Sequence, residues 1–202
     1  MSDRAKYLLV QYVTVARVPL AIVTAVLLQY AQALRPLGYL VVAILLVQEL
    51  TDIVDGLLAR RLGMSSRFGA LFDPYCDSMA RLITFFGLAS AGLCGYWLFM
   101  LMALRDISVS YIRIMCILSG KQIAARFSGK TKAWVQGLGA IVLAALYVFA
   151  APAGTPLIQV TRDQITVPAW TPQAITIVIA AITLWSLLDY FKAARQPAPQ
   201  KS

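Results

Sequence analysis

Four of the protein's nine acidic residues fall within one stretch, DIVDGLLARRLGMSSRFGALFDPYCD, running from Asp52 to Asp77. Asp52 and Asp55 are three apart and Asp73 and Asp77 are four apart, so on helices each pair shares a face. Two helix ends with two carboxylates each can converge on one or two hard divalent cations, which take oxygen ligands. The rest of the chain is dominated by apolar residues, and carboxylates in such surroundings are costly, so they mark function by default. Around them stand Gly56, Ala59, Arg60 and Gly69. Gly56 admits either close approach of a ligand to the helix backbone or close helix–helix packing. Arg60 admits either a bidentate phosphate contact or a charge flanking a membrane span.

The elements that carry these residues must lie in a membrane. Of 202 residues, 60% are hydrophobic and only 13% are charged, a balance of polytopic membrane proteins. The absence of histidine excludes His-based zinc sites and Ser-His-Asp triads. Cys76, Cys94 and Cys116 are scattered and lack C-x-x-C spacing, as expected of reduced core thiols. The net charge of +9 is read as cytoplasmic loops facing anionic headgroups, with no nucleic-acid partner. The first apolar run is too long for a removable signal peptide.

Six apolar runs are expected to form six transmembrane helices in an all-α polytopic fold: about 7–29, 37–58, 70–93, 98–118, 133–151 and 174–188. Residues 1–202 are expected to be a single integral membrane domain, with no internal repeat and no appended soluble domain. Asp52 and Asp55 end the second run, and Asp73 and Asp77 begin the third. The short linker 62–69 therefore brings both pairs to one membrane side. Pro74 is placed in the first turn of the third helix, where its missing N–H costs little. Glu49, three residues before Asp52, is either a partner of the cluster or an unrelated buried acid. In the fourth run, Asp106 and Arg113 form an internal pair, or Arg105 and Arg113 line a polar cavity. The stretch 119–132, holding Lys121, Arg126, Lys130 and Lys132, is read as a loop. Twelve loop and terminal cations, from Arg4 to Lys201, fall on one side of this six-span arrangement, and Arg35 and Arg162 on the other. By the positive-inside rule both termini and the carboxylates are expected to face the cytoplasm, in the cell's inner (plasma) membrane.

The pattern D-x2-D-G-x2-A-R-x8-G-x3-D-x3-D is matched at every fixed position by Asp52, Asp55, Gly56, Ala59, Arg60, Gly69, Asp73 and Asp77. In this the chain resembles the CDP-alcohol phosphotransferase family. The resemblance implies a six-helix membrane enzyme, a homodimer, that displaces CMP from a CDP-linked lipid with an alcohol. It implies that Asp52, Asp55, Asp73 and Asp77 bind two divalent ions, Mg²⁺ or Mn²⁺, and that Asp77 is also the general base. Gln11, Thr14 and Arg17 stand where the family often has Asn-x-x-Thr-x-x-Arg, beside the nucleotide and pyrophosphate. On its residues alone Arg17 equally fits snorkelling to headgroups. CDP-lipid contacts implied by the resemblance are Arg17, Gly56, Arg60 and Ser66.

Residues 105–136 further resemble bacterial phosphatidylglycerophosphate synthases, through Arg105-Asp106, Ser110, Arg113, then Gly129-Lys130-Thr131-Lys132 and Gln136, with Ala133 where Thr is usual. The acceptor implied is glycerol 3-phosphate and the lipid donor CDP-diacylglycerol. Arg105, Arg113, Lys130 and Lys132 would then hold the acceptor's phosphate; the alternative is that the two lysines are ordinary cytoplasmic flanks. Ser110-Tyr111 is similar to inositol-phosphate transferases, so inositol phosphate or another polar alcohol is the alternative acceptor. An ion-coupled transporter would need midplane acids and repeats, which this chain lacks.

Overall fold

In a computed structural model, the structure describes residues 3–31, 34–62, 69–119, 126–150, 168 and 170–195. Side chains at 3–11, 13, 35, 52–62, 69–71 and 150 lie outside that description. The described residues form six helices: α1 (Asp3–Tyr30), α2 (Arg35–Leu62), α3 (Gly69–Ser90), α4 (Tyr96–Leu118), α5 (Phe127–Ala150) and α6 (Thr171–Arg195). Each of the six expected apolar runs falls on one of these helices, except that 91–93 follow the end of α3 and 151 lies outside the described residues. Each helix has at least 22 residues, or about 33 Å of length at the α-helical rise.

Contacts between neighbours close the helices into a ring in the order α1, α2, α5, α6, α4, α3, with α3 also touching α5 across the middle. The most extensive contact is α1 on α3. It is close because Gly87 has no side chain: a Cβ there would come 2.7 Å from the Ala25 backbone. The core is Leu28, Val41, Leu45, Phe85, Leu88, Leu98, Met102 and Leu143, drawn from five helices.

Polarity is distributed inside-out relative to a water-soluble bundle. Arg17, Arg105, Asp106, Lys132, Gln136, Thr183 and Ser186 are buried, while Ile22, Val26, Leu104, Leu118, Leu138, Ile177 and Leu188 are exposed. Water would penalise both halves of this arrangement; a lipid solvent favours both. Phe127–Phe149 and Thr171–Arg195 are each long and apolar enough to cross a membrane, and shorter apolar helical stretches run Thr14–Tyr30 and Pro36–Thr51.

The helix ends depart from expectation in three places. Helix α5 begins at Phe127, so Lys130 and Lys132 stand in its first two turns and not in a loop. Hydropathy marks only the apolar stretch of a helix, and here the basic first turns are held by acidic partners on other helices. Helix α6 runs on to Arg195, with Lys192 and Arg195 in its last turn, where cations suit the helix dipole. Pro74 lies in the second turn of α3, not the first, because the helix starts at Gly69; the cost is the bond its missing N–H would have made to residue 70. Gly92 (φ +77°) ends α3 in the left-handed conformation, and Leu93 N–H bonds back to the Leu88 carbonyl at 2.9 Å, a glycine-closed helix terminus.

Candidate functional site

Two polar assemblies face each other across the α3–α5 contact. The first is built on α1 and α3. Asp73 and Asp77, one turn apart near the start of α3, meet two side chains spaced three apart on α1. Thr14 hydrogen-bonds Asp73, and the Arg17 guanidinium is ion-paired with Asp77. Arg17 is buried, so of its two readings snorkelling to the headgroups is excluded. Its backbone is fixed from α2, where Gln48 Nε2 donates to the Arg17 carbonyl at 3.2 Å. One turn beyond Asp77, Arg81 donates to the Ala133 carbonyl and ties α3 to α5.

Asp52, Asp55, Gly56 and Arg60 are helical in α2, with side chains outside the described residues, and Ser66 lies outside the description altogether. Among the described residues no three metal-ligating side chains converge. Asp73 and Asp77 nonetheless fit a hard divalent cation: they offer oxygen donors one turn apart, and a positive group already sits on Asp77. The only sulfur between them, Cys76, is buried, so the donor set is carboxylate in character.

The second assembly joins α4, α5 and α6. Asp106 is buried and accepts from Lys132 Nζ at 2.7 and 3.0 Å and from Arg105 Nη1 at 2.9 Å. Arg105 Nη2 donates onward to Ser186 Oγ at 2.7 Å. Tyr190 lies between two guanidinium groups, with Arg105 and Arg113 5.3 and 5.2 Å from its ring centre, and its hydroxyl accepts from Arg113 at 2.6 Å. Asp106 therefore pairs with Lys132 and Arg105 and not with Arg113, which lies two turns further along α4. Of the four expected phosphate contacts, Arg105, Arg113 and Lys132 are gathered here, while Lys130 is exposed on the next face of α5. Nearby, Arg126 makes a bidentate contact with Asp189 at 2.6 and 2.8 Å, and Ser128 donates to the same carboxylate.

An aspartate pair on one side, held by α1, and a cation-rich cluster on the other form a setting for moving phosphate groups. A sequence profile decides which. The profile of the CDP-alcohol phosphatidyltransferase family matches residues 7–185. The chain belongs to this family. A Mycobacterium tuberculosis (strain H37Rv) protein named "Probable phosphatidylglycerophosphate synthase" is 35% identical over 108 residues, covering 54% of this chain and 48% of the relative. A CDP-diacylglycerol–glycerol-3-phosphate 3-phosphatidyltransferase of Bacillus subtilis is 31% identical over 102 residues, covering 50% and 53%. The protein of the same name from Escherichia coli K12 is 33% identical over 154 residues, covering 74% and 75%. The match thus spans about half the length of the first two relatives and three quarters of the third. As a family member with apolar outer faces and buried charge, the chain is a membrane protein.

Sequence reasoning named the cations of the second assembly but missed Ser186 and Tyr190, which orient them. Their signal was present: Thr176, Thr183, Ser186 and Tyr190 recur at helical spacing along one face of α6. Arg81, four residues after Asp77, was readable the same way.

Proposed function

We propose that the protein transfers the phosphatidyl group of CDP-diacylglycerol to glycerol 3-phosphate, giving phosphatidylglycerol phosphate and CMP. The observation that carries this reading is the complete aspartate pattern from Asp52 to Asp77, whose second pair is presented to Thr14 and Arg17. The printed names of the relatives support the donor and the acceptor.

Asp52, Asp55, Asp73 and Asp77 would hold two divalent ions, Mg²⁺ or Mn²⁺, which supply charge neutralisation and alignment when bound. The remaining work belongs to the chain. Arg17, Gly56, Arg60 and Ser66 take the CDP-lipid, the two arginines by donating to its phosphates. Asp77 accepts the proton of the acceptor hydroxyl. The hydroxyl oxygen bonds to the lipid-linked phosphorus, the bond from that phosphorus to the CMP phosphate oxygen breaks, and CMP leaves with the electron pair. Arg105, Arg113 and Lys132 hold the acceptor's phosphate. In the buried cluster two cations, Arg105 and Lys132, stand against one carboxylate, Asp106, with half-buried Arg113 beside them on Tyr190, so an excess of positive charge remains for an anion.

The same reading takes residues 1–202 as one domain that crosses a bacterial inner membrane six times. Both termini and the carboxylates are cytoplasmic, and two copies associate. Its support is the bias of loop cations to one side and the apolar outer faces of all six helices.

The test is CMP release by the purified protein in detergent with CDP-diacylglycerol and Mg²⁺, offering glycerol 3-phosphate, inositol 1-phosphate, inositol and serine in turn. Release with glycerol 3-phosphate alone, lost in Asp77→Asn, is expected. Release with another alcohol would overturn the acceptor and keep the transfer chemistry.

A further inference from the structure

Between α1, α2, α3 and α5, on the inner side of the Arg17–Asp77 pair, lies a cavity of about 40 Å³. Its polar lining is Arg17, Gln48, Glu49, Asp77, Arg81, Thr84 and Gln136. Gln136 is completely buried, and its amide can be oriented by logic. Thr183 Oγ spends its only proton on the Ile179 carbonyl at 2.7 Å. Toward Gln136 it can only accept, so the amide end at 3.0 Å must be the NH₂ group. That nitrogen is turned toward α6, and Thr183 is not part of the cavity wall. The other end of the amide, Oε1, is buried without a hydrogen-bond partner. An acceptor stranded in this way is costly unless something donates to it.

The wall has a second built feature. Gly137 packs its α-carbon against the Glu49 carboxylate, and a Cβ there would fall on the carboxylate atoms. Glycine at this position leaves Glu49 room beside the cavity instead of inside it. Lys132 and Gln136 are four residues apart on α5 and both are buried, about 6 Å of helix rise. A three-carbon phosphoester whose phosphate lies at Lys132 extends along α5 toward Gln136.

We propose that this cavity receives the middle, unreacting hydroxyl of the acceptor alcohol, and that Gln136 Oε1 accepts its hydrogen bond. Gln136 is then a specificity-determining residue that requires a hydroxyl donor on the carbon next to the attacking one. The volume suits the assignment: it holds about three waters or a single hydroxyl-bearing carbon. This inference rests on the phosphatidyl-transfer reading above and deepens it.

The experiment compares glycerol 3-phosphate with 3-hydroxypropyl phosphate, which lacks only the middle hydroxyl, in the CMP-release assay. The intact protein is expected to prefer glycerol 3-phosphate about tenfold to a hundredfold in kcat/KM, as for a buried acceptor left unpaired. In Gln136→Leu the preference falls to within about twofold through loss of activity on glycerol 3-phosphate, with KM for CDP-diacylglycerol unchanged. Equal use of both acceptors by the intact protein, or an undiminished preference in Gln136→Leu, overturns the proposal and leaves Oε1 to water. Should the leucine variant not fold, Gly137→Ala serves. By displacing the Glu49 carboxylate, which lines the cavity, it is expected to raise KM for glycerol 3-phosphate at least fivefold without moving KM for the lipid donor, and an equal change in both KM values overturns the assignment. Absence of CMP release with either acceptor in the intact protein would instead overturn the transfer reading, and this inference with it.

Discussion

Replacing Asp106 by asparagine tests the electrostatics of the α4–α5–α6 cluster most directly. Its carboxylate is 4% exposed and faces Lys132, 5% exposed, at 2.7 Å and Arg105 at 2.9 Å. At separations near 3 Å and an effective dielectric of 20, each pairing has a Coulomb energy of about 5 kcal/mol before desolvation is counted. What Asp106→Asn exposes is the other side of that balance: an ammonium and a guanidinium left in an apolar interior with no counter-charge. Removing one member of a buried pair typically costs about 3–5 kcal/mol. Because asparagine keeps one acceptor oxygen, about 3 kcal/mol is expected. The assay is unfolding in mixed micelles by titrating sodium dodecyl sulfate, followed by the fluorescence of Trp97, Trp134, Trp170 and Trp185. The double variant Asp106→Asn with Lys132→Met removes the stranded ammonium and should recover at least half of the loss. Lys132→Met alone should be clearly destabilising, since it strands Asp106 with Arg105 only. A coupling of about 2 kcal/mol across the cycle is the expected result. Stability of Asp106→Asn within about 0.5 kcal/mol of the intact protein would refute the reasoning. So would an equal cost of Lys132→Met in both backgrounds.

Chelation by EDTA should abolish CMP release, and added Mg²⁺ should restore it; each of Asp52→Asn, Asp55→Asn, Asp73→Asn and Asp77→Asn should lower kcat/KM by at least about a hundredfold, and full activity in any of them would remove that residue from the ion-binding set. Arg17→Met removes the cation on Asp77 and should raise KM for CDP-diacylglycerol by about tenfold or more, with Arg17→Lys recovering only part because an ammonium cannot make a bidentate contact. Two glycines should fail for different reasons under the same detergent denaturation. Gly87→Ala drives α1 from α3 at the Ala25 backbone and should cost about 1–3 kcal/mol, whereas Gly92→Ala has open space around it and should cost about 1 kcal/mol through its left-handed backbone alone.

What the sequence discloses here is set by the distance along the chain over which a relationship holds. Asp73 and Asp77 share a face of α3 because helix geometry dictates it, and no knowledge of other helices is needed. The six helices are legible for a similar reason, since a lipid solvent demands long apolar runs. Pairings between helices depend on how each is rotated about its axis. Arg17 meets Asp77 across 60 residues, and Arg105 meets Ser186 across 81. Of the two readings of the α4 charges, the Asp106–Arg113 pair failed at this level: both residues are on α4, but the packing of α5 offers Lys132 to the carboxylate and α6 offers Tyr190 to the guanidinium.

The early start of α5 has the same origin. A lysine at 132 reads as a loop charge only while its partner is unknown; once Asp106 is placed beside it, burial in the second turn of a helix is its lower-energy position. Gln136 carries the argument furthest. Nothing local distinguishes it from a polar residue satisfied within its own helix. It becomes a reader of hydroxyl groups because Thr183, on another helix, has already given its proton to Ile179 and so fixes which end of the amide remains for the cavity. The metal-binding chemistry proposed for this family member is written in short-range spacing, whereas the proposed choice of alcohol is written in contacts between helices. An acceptor preference should therefore change through substitutions on α5 and α6 that leave the aspartate pattern intact.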